Sequence, residues 1–423
     1  FYVFFGVVVW DECFDPSHQL LTRWGWKDVA DITKEDEVAQ CEPDGSITFV
    51  LPIRLVHKKF DGNLVRLHSK RCDLLATPNH EHMVYWNKEN EPNRIKFSEL
   101  NPNSRWSHRL FGYSVEPEND FNDYDRFLLA YQAGGHFIRV RQSDGCSYIK
   151  FSFRKKSKID EVLRLCKSLS IEHTCFVNSR GDTTIRIWVT FRVSKKLNEV
   201  FDLSKGFSWH NQFIEYATFW DGHKSGEVRN YDTTCKDNAE FIQASVSLSG
   251  KYAGIQEIFK ENKFHSKAYR VSWHRLVARS NAVRHTKGIN KEFVRYNGTV
   301  YCVEVPSGFI LTRRKGKIAV TGNCHRLGAN TFSKTTHQFR SRYRIGLTAT
   351  PSRKDGAESI FLDYFGKPSV EGSSDALASD CEVVNTDAFV KDWYRLEKPN
   401  LITKLTTIQS RNILISNCII ELY

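Results

Sequence analysis

Across residues 38–57 and again across 63–86, polar and apolar side chains alternate over short stretches, and this period of two is what most narrows the fold. Only an extended strand sends successive side chains to opposite faces, so such stretches form sheet with one face buried. Turn residues break them at Pro43-Asp44-Gly45 and Asp61-Gly62-Asn63, where the chain is expected to reverse. Near the other end, 299–322 reads as two strands around the basic run Arg313-Arg314-Lys315-Gly316-Lys317, expected to be a solvated hairpin tip. Residues of about 115–270 depart from this texture. Lys155-Lys156-Ser157-Lys158-Ile159 opens a helical run through Leu169, and another helix runs from about Asn238 to Leu248. The patterns imply a multidomain chain in which two separated β segments enclose an α/β insert.

A length of 423 residues allows two or three domains, and 40% hydrophobic with 13% aromatic content is enough for packed cores. No apolar run reaches the roughly 18 residues that a membrane span needs, so no membrane partner is expected. The opening FYVFFGVVVW is too short to span, lacks the features of a signal peptide, and reads as a buried parallel strand. A net charge of +12 fits a nucleic-acid partner. The 11 cysteines contain no Cys-x-x-Cys pair, which argues against a disulfide scaffold or a zinc site. They fit the reduced thiols of a cytoplasmic protein, where thiol-dependent chemistry is available.

Val7-Val8-Val9-Trp10 ends in Asp11-Glu12, the form of a Walker B strand, in which the first acid holds Mg²⁺ through water and the second orients the attacking water. Cys13-Phe14 interrupts it. Cys324-His325-Arg326-Leu327 comes after Asn323, and Gly346-Leu347-Thr348-Ala349-Thr350-Pro351 follows. Joining Glu12 to Cys324 produces Asp11-Glu12-Cys324-His325, which resembles motif II of superfamily-two DEAD/DEAH-type helicases, with Thr348-Ala349-Thr350 as motif III. The resemblance covers 1–12 and 324 to about 370. It implies that 1–12 and 324–423 are fragments of an α/β RecA-like helicase domain whose complete host uses Mg-ATP and acts on DNA. The phosphate-binding GxxxxGK[ST] loop is absent, so the fragment is not expected to hydrolyse ATP.

The segment from Cys13 to Asn323 resembles an intein of the Hint type. Cys13-Phe14-Asp15, Leu21-Thr22 and Gly25-Trp26-Lys27-Asp28-Val29-Ala30-Asp31-Ile32 match the opening block, and Thr77-Pro78-Asn79-His80 the TxxH block. Val300-Tyr301-Cys302-Val303-Glu304-Val305-Pro306 and Ile318-Ala319-Val320-Thr321-Gly322-Asn323 match the last two. The resemblance implies an all-β horseshoe made of 13–114 and 271–323, splicing without a cofactor. A thiol at Cys13 attacks the preceding carbonyl, Cys324 takes over the acyl group, and Asn323 cyclises to release the insert. His80 acts as general acid for the first scissile amide, and Thr77 helps hold its carbonyl. Gly322 stands where many inteins carry a His that assists cyclisation, and Cys302 where an Asp is usual, so C-terminal cleavage is expected to be slower. Thr321 and Cys302 are also similar to a minor intein class that uses an internal Cys. That class lacks an N-terminal Cys, so Cys13 argues against it.

Within 115–270, Phe127-Leu128-Leu129-Ala130-Tyr131-Gln132-Ala133-Gly134-Gly135 and Phe213-Ile214-Glu215-Tyr216-Ala217-Thr218-Phe219-Trp220-Asp221-Gly222 resemble the paired helices of LAGLIDADG homing endonucleases. The resemblance implies a double-stranded DNA partner and Mg²⁺ bound by an acid at the end of each helix. Asp221 is such an acid. The partner position is Gly134, which has no carboxylate, so cleavage is expected to be impaired. Tyr148-Ile149-Lys150-Phe151-Ser152-Phe153 alternates like a DNA-facing strand. Two other readings stay open: a helicase with a permanent inserted DNA-binding domain, and an active endonuclease whose splicing has failed. An inert insertion has no reason to begin with Cys13 and end at Asn323-Cys324.

Overall fold

Strands from the beginning and the end of this stretch are interleaved in one sheet. The computed structural model describes residues 13–86, 92–104, 106–118, 120–139, 147–189, 192–259, 267–274 and 289–322. The sheet runs Tyr113–Ser114, Ser46–Val50, Val38–Cys41, His18–Thr22, Phe309–Arg314, Lys317–Gly322, with Gly25–Asp28 also paired to His18–Thr22. His18 stands opposite Arg314, Gln19 opposite Arg313 and Leu20 opposite Thr312. His18–Thr22 and Lys317–Gly322, the earliest and latest of these strands along the chain, are not direct neighbours. Phe309–Arg314 lies between them, because the hairpin that carries the last strand docks by its inner arm. Lys315 at φ 49° and Gly316 at φ 73° make that hairpin turn. Two successive positive φ values match the right-handed twist of the flanking strands.

A second layer is a long antiparallel ribbon. Arg54–His68 pairs with Asn290–Glu304 in unbroken register from Arg54 opposite Glu304 to His68 opposite Asn290, and Asp73–Ala76 continues the sheet. Asp61-Gly62-Asn63 therefore lies in mid-strand and is not a turn. A pairing partner along the whole length outweighs the local turn preference of three residues. Glu81–Trp86 with Asn93–Lys96 and Trp106–His108 forms a small third sheet.

The middle of the chain repeats one pattern twice. Helix α1 (Asp123–Gly134) leads into His136–Arg139 and Ser147–Phe153, then α2 (Lys156–Ser168), then His173–Val177 and Thr183–Val189. Helix α3 (Phe207–Asp221) leads into Gly222–Ser225 and Val228–Thr233, then α4 (Lys236–Leu248), then Ala253–Phe259 and Lys267–His274. Both four-stranded sheets have the same order, with the second and fourth strands of each repeat side by side in the centre. Asn122 caps α1, its side-chain oxygen accepting from the Asp125 amide at 3.0 Å. At the same helix start, Asp123 takes two 2.9 Å bonds from Arg164 of α2. Those bonds, then Ser168, hold its carboxyl down at about 2.

The α3–α4 repeat and the interleaved sheet share a core. Phe213, Ile214, Ile242 and Val246 lie in the same buried cluster as Leu21, Ile47, Phe309 and Leu311. The basic hairpin is solvated at its turn, where Lys315 is exposed, but its arm is part of this junction: Arg313 and Arg314 are 2% and 7% exposed. Arg313 pairs with Glu240 of α4 at 2.9 Å, and its guanidinium lies 4.7 Å from the centre of the Trp26 ring. Arg314 is ion-paired to Asp73 and lies 3.4 Å from Asp15. These acidic partners lie far away in sequence, so a local reading of charge could not reveal them.

Candidate functional site

Cys13 is fully buried and held at both of its backbone groups by Thr77. The Cys13 amide donates to Thr77 Oγ1 at 3.1 Å, and the Thr77 amide donates to the Cys13 carbonyl at 2.9 Å. Thr77 was expected to hold the carbonyl before Cys13. Its hydroxyl accepts from the Cys13 amide, while the carbonyl it was expected to hold belongs to Glu12, which lies outside the described residues. Phe14 exchanges backbone bonds of 2.7 and 2.9 Å with Tyr301, which brings the strand carrying Cys302 against the first residues. Cys302 packs in one small cluster with Cys13, Leu64, Leu75 and Val300. An Asp there would have to bury a charge among apolar side chains, whereas a thiol fits them.

His80 closes the other side. Its amide donates to the Thr77 carbonyl at 3.0 Å, and its ring lies 4.5 Å from that of Phe14. Its Nε2 is 2.9 Å from Oγ1 of Thr321, near the end of the last strand. Thr321 is in turn 3.1 Å from His82 Nδ1, and His82 Nε2 is 3.0 Å from His108 Nδ1. All four side chains are buried. Sequence reading missed His82 and His108. A faint signal existed for His82: two residues past His80 at a strand start, it faces the same way. Nothing local points to His108, which arrives by the pairing of Trp106–His108 with Glu81–Trp86. Asn323, Cys324, Asp11, Glu12, His325, Thr348, Ala349 and Thr350 lie outside the described residues.

The inserted repeats bring Gly134 and Asp221 to the last positions of α1 and α3. The two helices touch near their starts: Trp209 Nε1 donates to Asp125 at 2.9 Å, and Arg126 to Gln212 at 3.3 Å. A centre with two carboxylates does not fit the residues present. A Cβ on Gly134 would stand 2.6 Å from Cζ of Phe153. The carbonyls at the end of α1 are taken by Lys195, whose ammonium donates to Tyr131, to Gln132 at 2.9 Å and to Gly135. Burial pulls Lys195 down to about 8, against the attraction of Asp221. At the end of α3, Lys158 donates to the Trp220 carbonyl at 2.6 Å. Cations at helix C-termini complement the carbonyl dipoles. The strand Ser147–Phe153 alternates as expected, and pairs Tyr148 with Trp188 and Lys150 with Arg186. Arg186 lies 4.8 Å from the Phe176 ring, so this sheet carries a basic and aromatic face.

No protein-family model matches the chain. Ribonucleoside-diphosphate reductase subunit beta of Aquifex aeolicus (strain VF5) is 26% identical over 358 residues, which cover 74% of this chain and 50% of that protein. The ATP-dependent Clp protease proteolytic subunit of Chlamydomonas moewusii is 28% identical over 110 residues, 26% of this chain and 10% of that protein. The chain thus spans about half the length of the first and a tenth of the second. Among solved structures, the AceL NrdHF class 3 split intein in a glutathione-linked, splice-inactive variant aligns with 74% of this chain and 100% of its own, at TM-score 0.30 and 9% identity. I-DmoI in complex with DNA and Mn aligns with 36% of this chain and 90% of its own, at TM-score 0.27 and 12% identity.

Proposed function

We propose that Cys13 to Asn323 is a self-splicing protein element that excises itself and joins Glu12 to Cys324. One observation carries this reading. Thr77 grips the amide of Cys13 while His80, three residues on, reaches Thr321, two residues before Asn323 in the chain. An inert insertion has no need for groups of both junctions to converge on one histidine. In the proposed reaction the Cys13 thiol attacks the Glu12 carbonyl, and His80 protonates the departing nitrogen. Cys324 accepts the acyl group as a thioester. Asn323 then cyclises and frees the amine of Cys324, to which the acyl group moves. The joined Asp11-Glu12-Cys324-His325 supports a helicase as host. Sequence shared with proteins of such different named activities as a reductase subunit and a protease subunit fits an element that enters unrelated hosts. The duplicated αββαββ insert, with its basic and aromatic sheet, supports a double-stranded DNA partner for the middle domain.

Mass spectrometry of the purified chain under reducing conditions tests the reading. The expected products are the Cys13–Asn323 segment and the ligated flanks, and a chain with both Cys13→Ala and Asn323→Ala should stay intact. A wild-type chain that remains whole for days would end the proposal.

A further inference from the structure

Position 322 is glycine, yet two buried imidazoles lie one hydrogen bond and two hydrogen bonds from the side chain of position 321. We infer that His82 and His108 form a proton relay and positioning unit for the junction after Gly322, taking the part of the histidine that position 322 lacks. The inference rests on the splicing reading and adds residues to it that no intein block in this sequence contains.

The geometry is a continuous chain: His80 Nε2, Thr321 Oγ1, His82 Nδ1 and Nε2, His108 Nδ1, with links of 2.9, 3.1 and 3.0 Å. Phe97 and Trp106 pack edge-on against the His82 ring and keep the chain dry. Burial first, then the neighbouring rings of His108 and His80, pulls His82 well below the ordinary imidazole range. A neutral imidazole offers one donor and one acceptor, and a hydroxyl offers both, so each link can point either way. Moving one proton per link reverses the whole chain without moving a ring. The relay therefore reaches the strand end that presents the second junction, with His80 on the far side of the Thr321 hydroxyl.

At that second junction the Asn323 carboxamide nitrogen bonds to its own backbone carbonyl carbon. The peptide bond to Cys324 breaks. The proton leaving the carboxamide nitrogen is matched by the one the departing amine gains, so no water, oxidant or outside reagent enters. His82 and His108 steer that transfer by holding and polarising Thr321.

Two rates measured by mass spectrometry on the full chain test this: release of the N-terminal segment by added dithiothreitol, and cleavage after Asn323. His82→Gln keeps a hydrogen-bonding side chain but cannot pass a proton. It should slow C-terminal cleavage by about a hundredfold, the lower end of general acid–base contributions, and leave thiol-induced release close to wild type. His108→Gln should slow the same step less. Equal loss of both rates, or no loss in either, overturns the relay. Imidazole ¹⁵N spectra of an Asn323→Ala chain at neutral pH check it without altering either ring: single neutral tautomers support it, and a doubly protonated His82 overturns it. A wild type that shows neither cleavage removes the splicing reading and the relay with it, whereas a wild type that splices beside an unaffected His82→Gln removes the relay alone.

Discussion

Asp73 is 2% exposed and takes charged bonds from two arginines, Arg66 at 2.6 and 3.1 Å and Arg314. Burial alone would raise its carboxyl. The bonds and charges of Arg66 and Arg314 overcome that and hold it below the usual carboxylate value. Breaking one partner of a buried pair leaves a charge without compensation, at a cost of about 3–5 kcal/mol. Arg314→Met should fall near the lower end of that range in urea unfolding, because Asp73 keeps Arg66. The sign with pH follows from the lowered carboxyl. The pairing stabilises the fold fully above the unfolded carboxylate value of about 4 and is lost as pH falls through the lower folded value. Asp73→Asn should therefore flatten the acid limb of a stability profile. A limb of unchanged slope would mean that other carboxylates set it. Cys13, Thr77 and His80 were singled out in the sequence by the resemblance of their segments to intein blocks, and the fold brings them together. Asp73, His82 and His108 were not, since each acquires its partners only through strand pairing.

Among the elements, α1 and α3 were located by the resemblance of their segments to LAGLIDADG helices, while their ends are settled by what stands beside them. Gly134 ends α1 against the Phe153 ring, and a side chain there would meet that ring at 2.6 Å. Overpacking of this kind costs about 1–3 kcal/mol. Gly134→Asp should lower the urea midpoint by a corresponding amount, and in a Phe153→Ala background, which carries its own cost through lost packing on Phe151 and Trp220, the same change should lower it by less. If the single change is neutral, the ring yields freely and the helix end is looser than its packing implies. The same limit of local reading explains the Asp61-Gly62-Asn63 error. Three turn-forming residues look like a reversal until the partner strand, more than two hundred residues on, is known to run alongside them. Helix α4 was read from about Asn238 and begins at Lys236, ahead of its apolar pattern, with Cys235 at its cap. Cys235 makes no side-chain capping bond, so the usual start signal is missing there.

At the scale of the whole molecule, the sequence divides cleanly at about 115 and 270 into β and α/β textures, but the core does not divide there. Apolar side chains of α3 and α4 share one cluster with the interleaved sheet, and Arg313 of the last hairpin is buried between Gln19, Glu240 and Gln243. Texture is a property of local periodicity and cannot report which faces close on each other. A chain shortened by removing 115–270 and closing the gap with a flexible linker would expose Leu21, Ile47, Phe309 and Leu311 and strip Arg313 of Glu240. Each large apolar side chain moved into water costs about 1.5–3 kcal/mol. Four of them approach the 5–15 kcal/mol that holds a typical domain together. The shortened chain should bind ANS strongly, and its excision rate should fall by about tenfold or more, a rise of about 1.4 kcal/mol or more in the barrier. Polar replacements at Leu21 and Phe309, with Arg313→Gln, should lower ANS binding in the shortened chain and lower stability in the complete one. Excision at full rate by an unrepaired, ANS-silent shortened chain would mean that the sheet stands without its insert, and that the shared core arose from contact rather than from dependence.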